Sequence, residues 1–156
     1  MGRNHARCLA AMKGVDLVAV VDSDVDRCNE VATTFECRPG TSISDLPHVD
    51  AAIVAVPSAS HAEVGCALME RGIHCLVEKP LALDRTQAML LVDAADSANV
   101  ILQVGHIERF NPAVRQLKET LEGESAIVAN AQRMSAFSGR VTDIDVVMDL
   151  MVHDLD

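Results

Sequence analysis

The sequence has no tryptophan, no tyrosine and only three phenylalanines among its 156 residues, so any core it builds must be aliphatic. Positive charge is scarce too. Thirteen Lys+Arg stand against 23 Asp+Glu, a formal net charge of −10, which opposes a phosphate-neutralising surface and makes nucleic acid a poor partner. The apolar runs, such as 17–21 and 51–56, fall far short of the roughly 20 residues a membrane helix needs. No membrane partner is expected, and no targeting peptide precedes those runs. Cysteine is present but unpatterned: Cys8, Cys28, Cys37, Cys66 and Cys75 are odd in number, never spaced C-x-x-C, and embedded in apolar surroundings. Neither a disulfide framework nor a metal site follows from them, and a reducing cytoplasm fits best. Eight Gly and five Pro exclude collagen-like and low-complexity chains.

What is present is 49% apolar residues, enough for a globular core, in a length that allows one domain or pieces of two. Short continuous apolar runs alternate with stretches of helical spacing, the pattern of a parallel sheet covered on both faces. Strands are predicted at 17–21, 51–56, 75–77 and 100–104. Helices are predicted between them. The first covers about 3–13 and stops at Gly14; the second presents Val25, Cys28, Val31, Ala32 and Phe35 on one face. The third begins at Ser60 with Glu63 in capping-box spacing and ends at Gly72, and the fourth covers about 85–98 with Asp84 as N-cap. After Val104 the texture changes: a polar stretch, then a helix opened by Pro112, a weakly alternating strand at 126–132 and a last helix at 145–156. These divisions predict a fold of the α/β class, with a first domain at 1–110 and the start of an α+β domain at 111–156.

Several residues carry possible chemistry, each with a plainer reading beside it. Asp22 follows the first strand directly, 20 residues after Gly2. In a dinucleotide-binding βαβ unit the last fingerprint glycine opens the phosphate-binding helix, and an acidic residue about 20 positions later bonds the ribose 2′-hydroxyl. The plainer reading is that Asp22 caps the next helix. Within Asp22-Ser23-Asp24 there is no cation for a 2′-phosphate, so NAD is favoured over NADP if a dinucleotide binds. Ser58, Ser60 and His61 follow the second strand, where ligands of open α/β sheets bind; alternatively Ser60 only caps and His61 is solvated. Glu78-Lys79-Pro80 follows the third strand, and a Lys there is costly unless held; the alternative is a surface Lys paired with Glu78. Asp149 and His153 share one helical face, suiting either a tuned proton-transfer imidazole or a solvated ion pair.

Together, Met1-Gly2-Arg3-Asn4-His5-Ala6, Asp22, the 57–61 turn, Glu78-Lys79-Pro80 and Asp149-x-x-x-His153 resemble the Gfo/Idh/MocA family of NAD(P)-dependent oxidoreductases. The stretch Gly105-His106-Ile107-Glu108-Arg109-Phe110-Asn111-Pro112, followed by Asp145 to Asp156, looks most like the family's UDP-N-acetylglucosamine 3-dehydrogenase branch. The resemblance implies a Rossmann-type doubly wound sheet carrying NAD, a second sheet domain over a sugar or nucleotide-sugar substrate, and a homo-oligomer. It also implies that Gly2, Arg3, Asp22, Ser23, Val56, Pro57, Ser58, His61, Glu78, Lys79 and Arg109 line the cofactor, while Lys79, Asp149 and His153 carry the chemistry. Oxidation of a secondary alcohol is the implied reaction. The family's first strand and first two fingerprint glycines have no counterpart here, so the chain is expected to be a fragment. The strands at 17–21 and 51–56 are then expected to lack the partner between them. Two other readings stand beside this one: a non-catalytic dinucleotide or sugar-nucleotide sensor of the same fold, and a Rossmann dehydrogenase of another family, which Glu78-Lys79-Pro80 argues against.

Overall fold

The computed structural model describes residues 1–125 together with 127, 128, 130, 132 and 151. Its order is α1 (Gly2–Ala11), β1 (Ala19–Val21), α2 (Val25–Thr34), β2 (Arg38–Gly40), β3 (Ala51–Val54), α3 (His61–Met69), β4 (His74–Val77), α4 (Arg85–Ala98), β5 (Leu102–Val104) and α5 (Pro112–Thr120), with short 3-10 turns between. All strand pairs are parallel, as helical crossovers require. They form two sheets, β1-β2 and β3-β4-β5, and no pairing joins β1 to β3 among the described residues. The separation expected at those two strands is therefore what the chain adopts.

The main core lies between the three-stranded sheet and the α3–α4 pair: Val54, Leu68, Met69, Ile73, Cys75, Val77, Ala82, Leu91 and Ala95. It contains no aromatic ring, as the composition requires. Gly65 allows the two helices to close, because a Cβ there would lie 2.5 Å from Leu91 Cδ2. Under β1-β2 the α2 face buries Cys28, Val31 and Ala32, and the Cys28 thiol donates to Gly40 O at 3.1 Å. All five cysteines are free.

Several boundaries differ from the sequence pattern for local reasons. Val25, expected on the inner face of α2, is 54% exposed because it opens the helix beyond the end of the short sheet. The capping box at Ser60 does not form. Ser58–Ser60 is already a 3-10 turn, and Ser60 takes helical φ and ψ, not the extended geometry from which a cap side chain folds back. The strand β2 has no apolar run to announce it and contains Pro39, which an edge position tolerates. Asp84 does cap α4, accepting from Gln87 N at 2.9 Å, and Asn99 in the left-handed region ends it. The expected strand at 126–132 and helix at 145–156 lie outside the described residues apart from isolated positions. No described helix is long and apolar enough to cross a membrane.

Candidate functional site

Register decides which residues meet. Val54 pairs with Val77 and Val77 with Val104, so the segments after β3, β4 and β5 open together on the carboxyl edge of the sheet. Ala55, Glu78 and Gly105 are the first residues beyond that level. The N-terminus of α1 arrives at the same edge, with Gly2 packed so that a Cβ would meet only Ala55 Cβ, at 3.9 Å. The first amides of a helix have no intrahelical acceptor and favour an anion, and no side chain caps this one.

Glu78 is the hub of the edge. Its side chain is largely buried, Oε1 accepts from His5 Nε2 of α1 at 2.6 Å, and Oε2 accepts from the backbone N–H of Lys79 at 3.1 Å. Gly105 leaves the room for it, since a Cβ at that position would lie 3.0 Å from Glu78 Oε2. Glu78 thus meets Lys79 through the Lys79 backbone N–H. The Lys79–Pro80 bond is cis, and Lys79 itself is half-buried.

His61 is the clearest departure from expectation. It is 1% exposed, neither solvated nor lining an open site, and its ring spans the Pro80 carbonyl (Nδ1, 2.8 Å) and the Val56 carbonyl (Nε2, 3.1 Å). It fastens the turn after β3 to the segment after β4, which makes it a positioning residue. A neutral ring carries one N–H and can donate to one of these carbonyls; the imidazolium donates to both. Ser58 is buried in the same turn, whereas Val56 and Pro57 are exposed.

At the end of β1, Asp22 grips Arg27 in a bidentate ion pair: Nε to Oδ2 at 2.6 Å and Nη2 to Oδ1 at 2.6 Å. The hydrogen bonds from Arg27 hold the Asp22 carboxyl below the usual carboxylate range, against the opposing effect of partial burial. Asp24, not Asp22, is the N-cap of α2, accepting from Arg27 N at 3.0 Å. Asp22-Ser23-Asp24 itself holds no cation, as the sequence shows, but Arg27, in the first turn of α2, brings one to Asp22. The five-residue step from strand end to helix turn was the available signal. Ser23 is exposed beside the pair, and Arg3 is tied to Glu30 of α2 at 2.6 Å on the surface.

Arg109 lies exposed on the 3-10 turn Ile107–Phe110 that follows β5. Asp149 and His153 lie outside the described residues. No group of three His, Cys, Asp or Glu suited to a metal ion occurs among the described residues. Burial raises the Cys75 thiol to about 11, which removes it from consideration as a nucleophile.

Asp22 beyond β1, an uncapped helix N-terminus packed on Ala55, and a lysine beyond β4 fit the parts of a nicotinamide dinucleotide. Comparison with known proteins agrees. Residues 1–106 match the Gfo/Idh/MocA family, described as an oxidoreductase family with an NAD-binding Rossmann fold. The chain is 39% identical to UDP-N-acetylglucosamine 3-dehydrogenase of Acidithiobacillus ferrooxidans over all of its length and 49% of that enzyme. The solved structure of that enzyme, GnnA, superposes with a TM-score of 0.86 at 38% identity, over 99% of this chain and 50% of GnnA. GenD2 from gentamicin A biosynthesis, in complex with NAD, gives 0.74 at 33% identity over 77% of this chain and 35% of its own. KijD10, a 3-ketoreductase from Actinomadura kijaniata in complex with NADP, gives 0.70 at 27% identity over 76% and 39%. The chain thus spans about half the length of the curated relatives it matches. With its parallel strands, its carboxyl-edge cluster and this match, the chain belongs to the Gfo/Idh/MocA oxidoreductase family as an NAD-binding Rossmann-fold member.

Proposed function

We propose that the protein containing this chain is a dehydrogenase that oxidises a secondary alcohol of a sugar or nucleotide sugar, with NAD as coenzyme. The observation that carries this reading is the Glu78 hub, which holds Lys79 at the carboxyl edge beside the N-terminus of α1. The dinucleotide, when bound, supplies the hydride acceptor. Gly2 and Arg3 place α1 backbone amides for the pyrophosphate, and Asp22 accepts a ribose hydroxyl. Ser23, Val56, Pro57, Ser58 and Arg109 frame the remaining length of the groove. His61 acts from behind it by fixing the Val56 and Pro80 carbonyls.

Lys79 offers an ammonium to the substrate oxygen and steadies the negative charge that grows there as the C–H bond is broken. His153 takes the hydroxyl proton as general base, and Asp149, four residues earlier in sequence, orients the imidazole. Similarity to a UDP-N-acetylglucosamine 3-dehydrogenase supports a UDP-amino sugar or its uronate, oxidised at C3, as first choice of substrate. The second domain, begun in 111–156, covers the substrate and joins subunits.

The test is nicotinamide absorbance of the whole protein against UDP-N-acetylglucosamine, its uronate, inositol and free sugars. Reduction of NAD with one of these supports the proposal. A protein that binds the dinucleotide and turns over none of them is instead a sensor of the same fold.

A further inference from the structure

The two carbonyls that His61 holds are not alike. Nδ1 lies 2.8 Å from the Pro80 carbonyl in a wholly buried contact, whereas Nε2 lies 3.1 Å from the Val56 carbonyl in one that is only partly buried. A buried carbonyl without a donor loses its hydrogen bond outright, and one near the surface accepts from water instead. The shorter and drier contact therefore claims the ring proton first. Pro80 is the residue after Lys79, whose own N–H is held from the other side by Glu78 Oε2 at 3.1 Å. The backbone at the lysine is thus fastened before and behind, by a carboxylate and by an imidazole. That imidazole is itself fixed: His61 is 1% exposed and opens α3, a helix packed on β3, β4 and α4.

We infer that the Nδ1–H of His61, acting through the Pro80 carbonyl, sets the aim of Lys79 at the substrate, and that the Nε2 contact to Val56 is dispensable for that aim. This rests on the role proposed for Lys79 above and deepens it. His61 acts only through the lysine's backbone and is a positioning residue. An ammonium on a flexible four-carbon stem is aimed only as well as its backbone is held, and a displacement of about 1 Å at a reacting centre costs on the order of a hundredfold in rate. The inference asks for a proton on Nδ1. The imidazolium has one there, and of the two neutral tautomers only one does.

The test separates the two nitrogens. The asparagine amide nitrogen stands close to the place of Nδ1 and the glutamine amide nitrogen close to that of Nε2, so His61→Asn keeps the donor to Pro80 and His61→Gln the donor to Val56. In the whole protein, with the sugar nucleotide that the parent oxidises, kcat is expected to fall by roughly tenfold to a hundredfold in His61→Gln and His61→Ala, and to recover to within about threefold in His61→Asn. NAD affinity by calorimetry is expected to stay within about threefold in His61→Asn and His61→Gln, less than about 0.7 kcal/mol. With no ligand present, hydrogen exchange at the Leu81 and Ala82 amides should rise roughly tenfold in His61→Gln and little in His61→Asn. The parent offers a check that needs no variant to fold: the NMR shifts of the His61 ring nitrogens should place a proton on Nδ1. Equal losses in His61→Asn and His61→Gln, the reverse ranking, NAD affinity falling in step with kcat, or a parent ring protonated on Nε2 alone overturns the inference. A parent that oxidises no sugar nucleotide overturns the dehydrogenase reading and the role of Lys79 with it, even where the exchange rates rank the variants as expected.

Discussion

His5 and Glu78, 73 residues apart, share a 2.6 Å hydrogen bond that ties the first turns of α1 to the end of β4. The same glutamate holds the backbone of Lys79 through its other oxygen. One carboxylate therefore positions both the helix that would face a pyrophosphate and the lysine that would face a substrate. Replacing Glu78 with Gln removes a charge-assisted bond worth about 1.5–3 kcal/mol and should loosen α1 first. Hydrogen exchange of the α1 amides is expected to rise by tenfold or more while α3 and α4 stay protected; unchanged α1 protection would show that the pair is not what holds the helix.

Acid should weaken the site end of β1 in a defined direction. The Asp22 carboxyl is held low by hydrogen bonds from Arg27, and the Asp45 carboxyl by the backbone N–H groups of Thr41 and Ser42. A group whose folded value is depressed contributes stability above its unfolded value, about 4, and loses it as pH falls through the folded value. Urea midpoints are expected to be flat from pH 7 to about 5 and to drop below about 4. Asp22→Asn and Asp45→Asn should each flatten that drop; an unchanged acid limb in both would contradict these assignments.

Thiol reactivity should follow burial. With its value raised to about 11, Cys75 holds roughly one thiolate per thousand at pH 8, and it is shielded as well. Iodoacetamide on the native chain is expected to label exposed Cys8 first and to leave Cys28 and Cys75 unmodified until urea is added, as read by peptide mass spectrometry. Early labelling of Cys75 would mean that the sheet core opens far more readily than its packing suggests.

The α3–α4 contact has no room for a larger residue at Gly65. Gly65→Val should lower stability by about 1–3 kcal/mol, because Leu91, itself fully buried, has nowhere to move. A midpoint equal to the parent's would show that the helices separate easily. Combining it with Leu91→Ala should recover part of the loss.

Strands β3, β4 and β5 were legible because each is mostly apolar, with only His74 at the start of β4 and Gln103 inside β5 breaking the runs, and the helix starts at Asp84 and Pro112 because their chemistry is local. The sheet's division was legible only through the family resemblance, whose strand order puts another strand between β1 and β3. Three features were not. The strand β2 is three residues around a proline, and pairing with β1, not its own pattern, makes it a strand. The role of His61 depends on carbonyls 5 and 19 residues away, and its polarity argued for solvent. Arg27 reaches Asp22 only because α2 begins immediately after β1, a proximity that reading the 22–24 segment by itself conceals.

The central claim is that Lys79 acts on the substrate while the rest of the carboxyl edge holds the dinucleotide. Its most direct test is a paired measurement on Lys79→Ala in the whole protein: NAD affinity by calorimetry, and turnover with the sugar nucleotide that the parent oxidises. The account predicts NAD affinity within about tenfold of the parent and turnover reduced by at least a hundredfold, the scale of a lost charge-stabilising donor. Turnover within a few-fold of the parent's would contradict it.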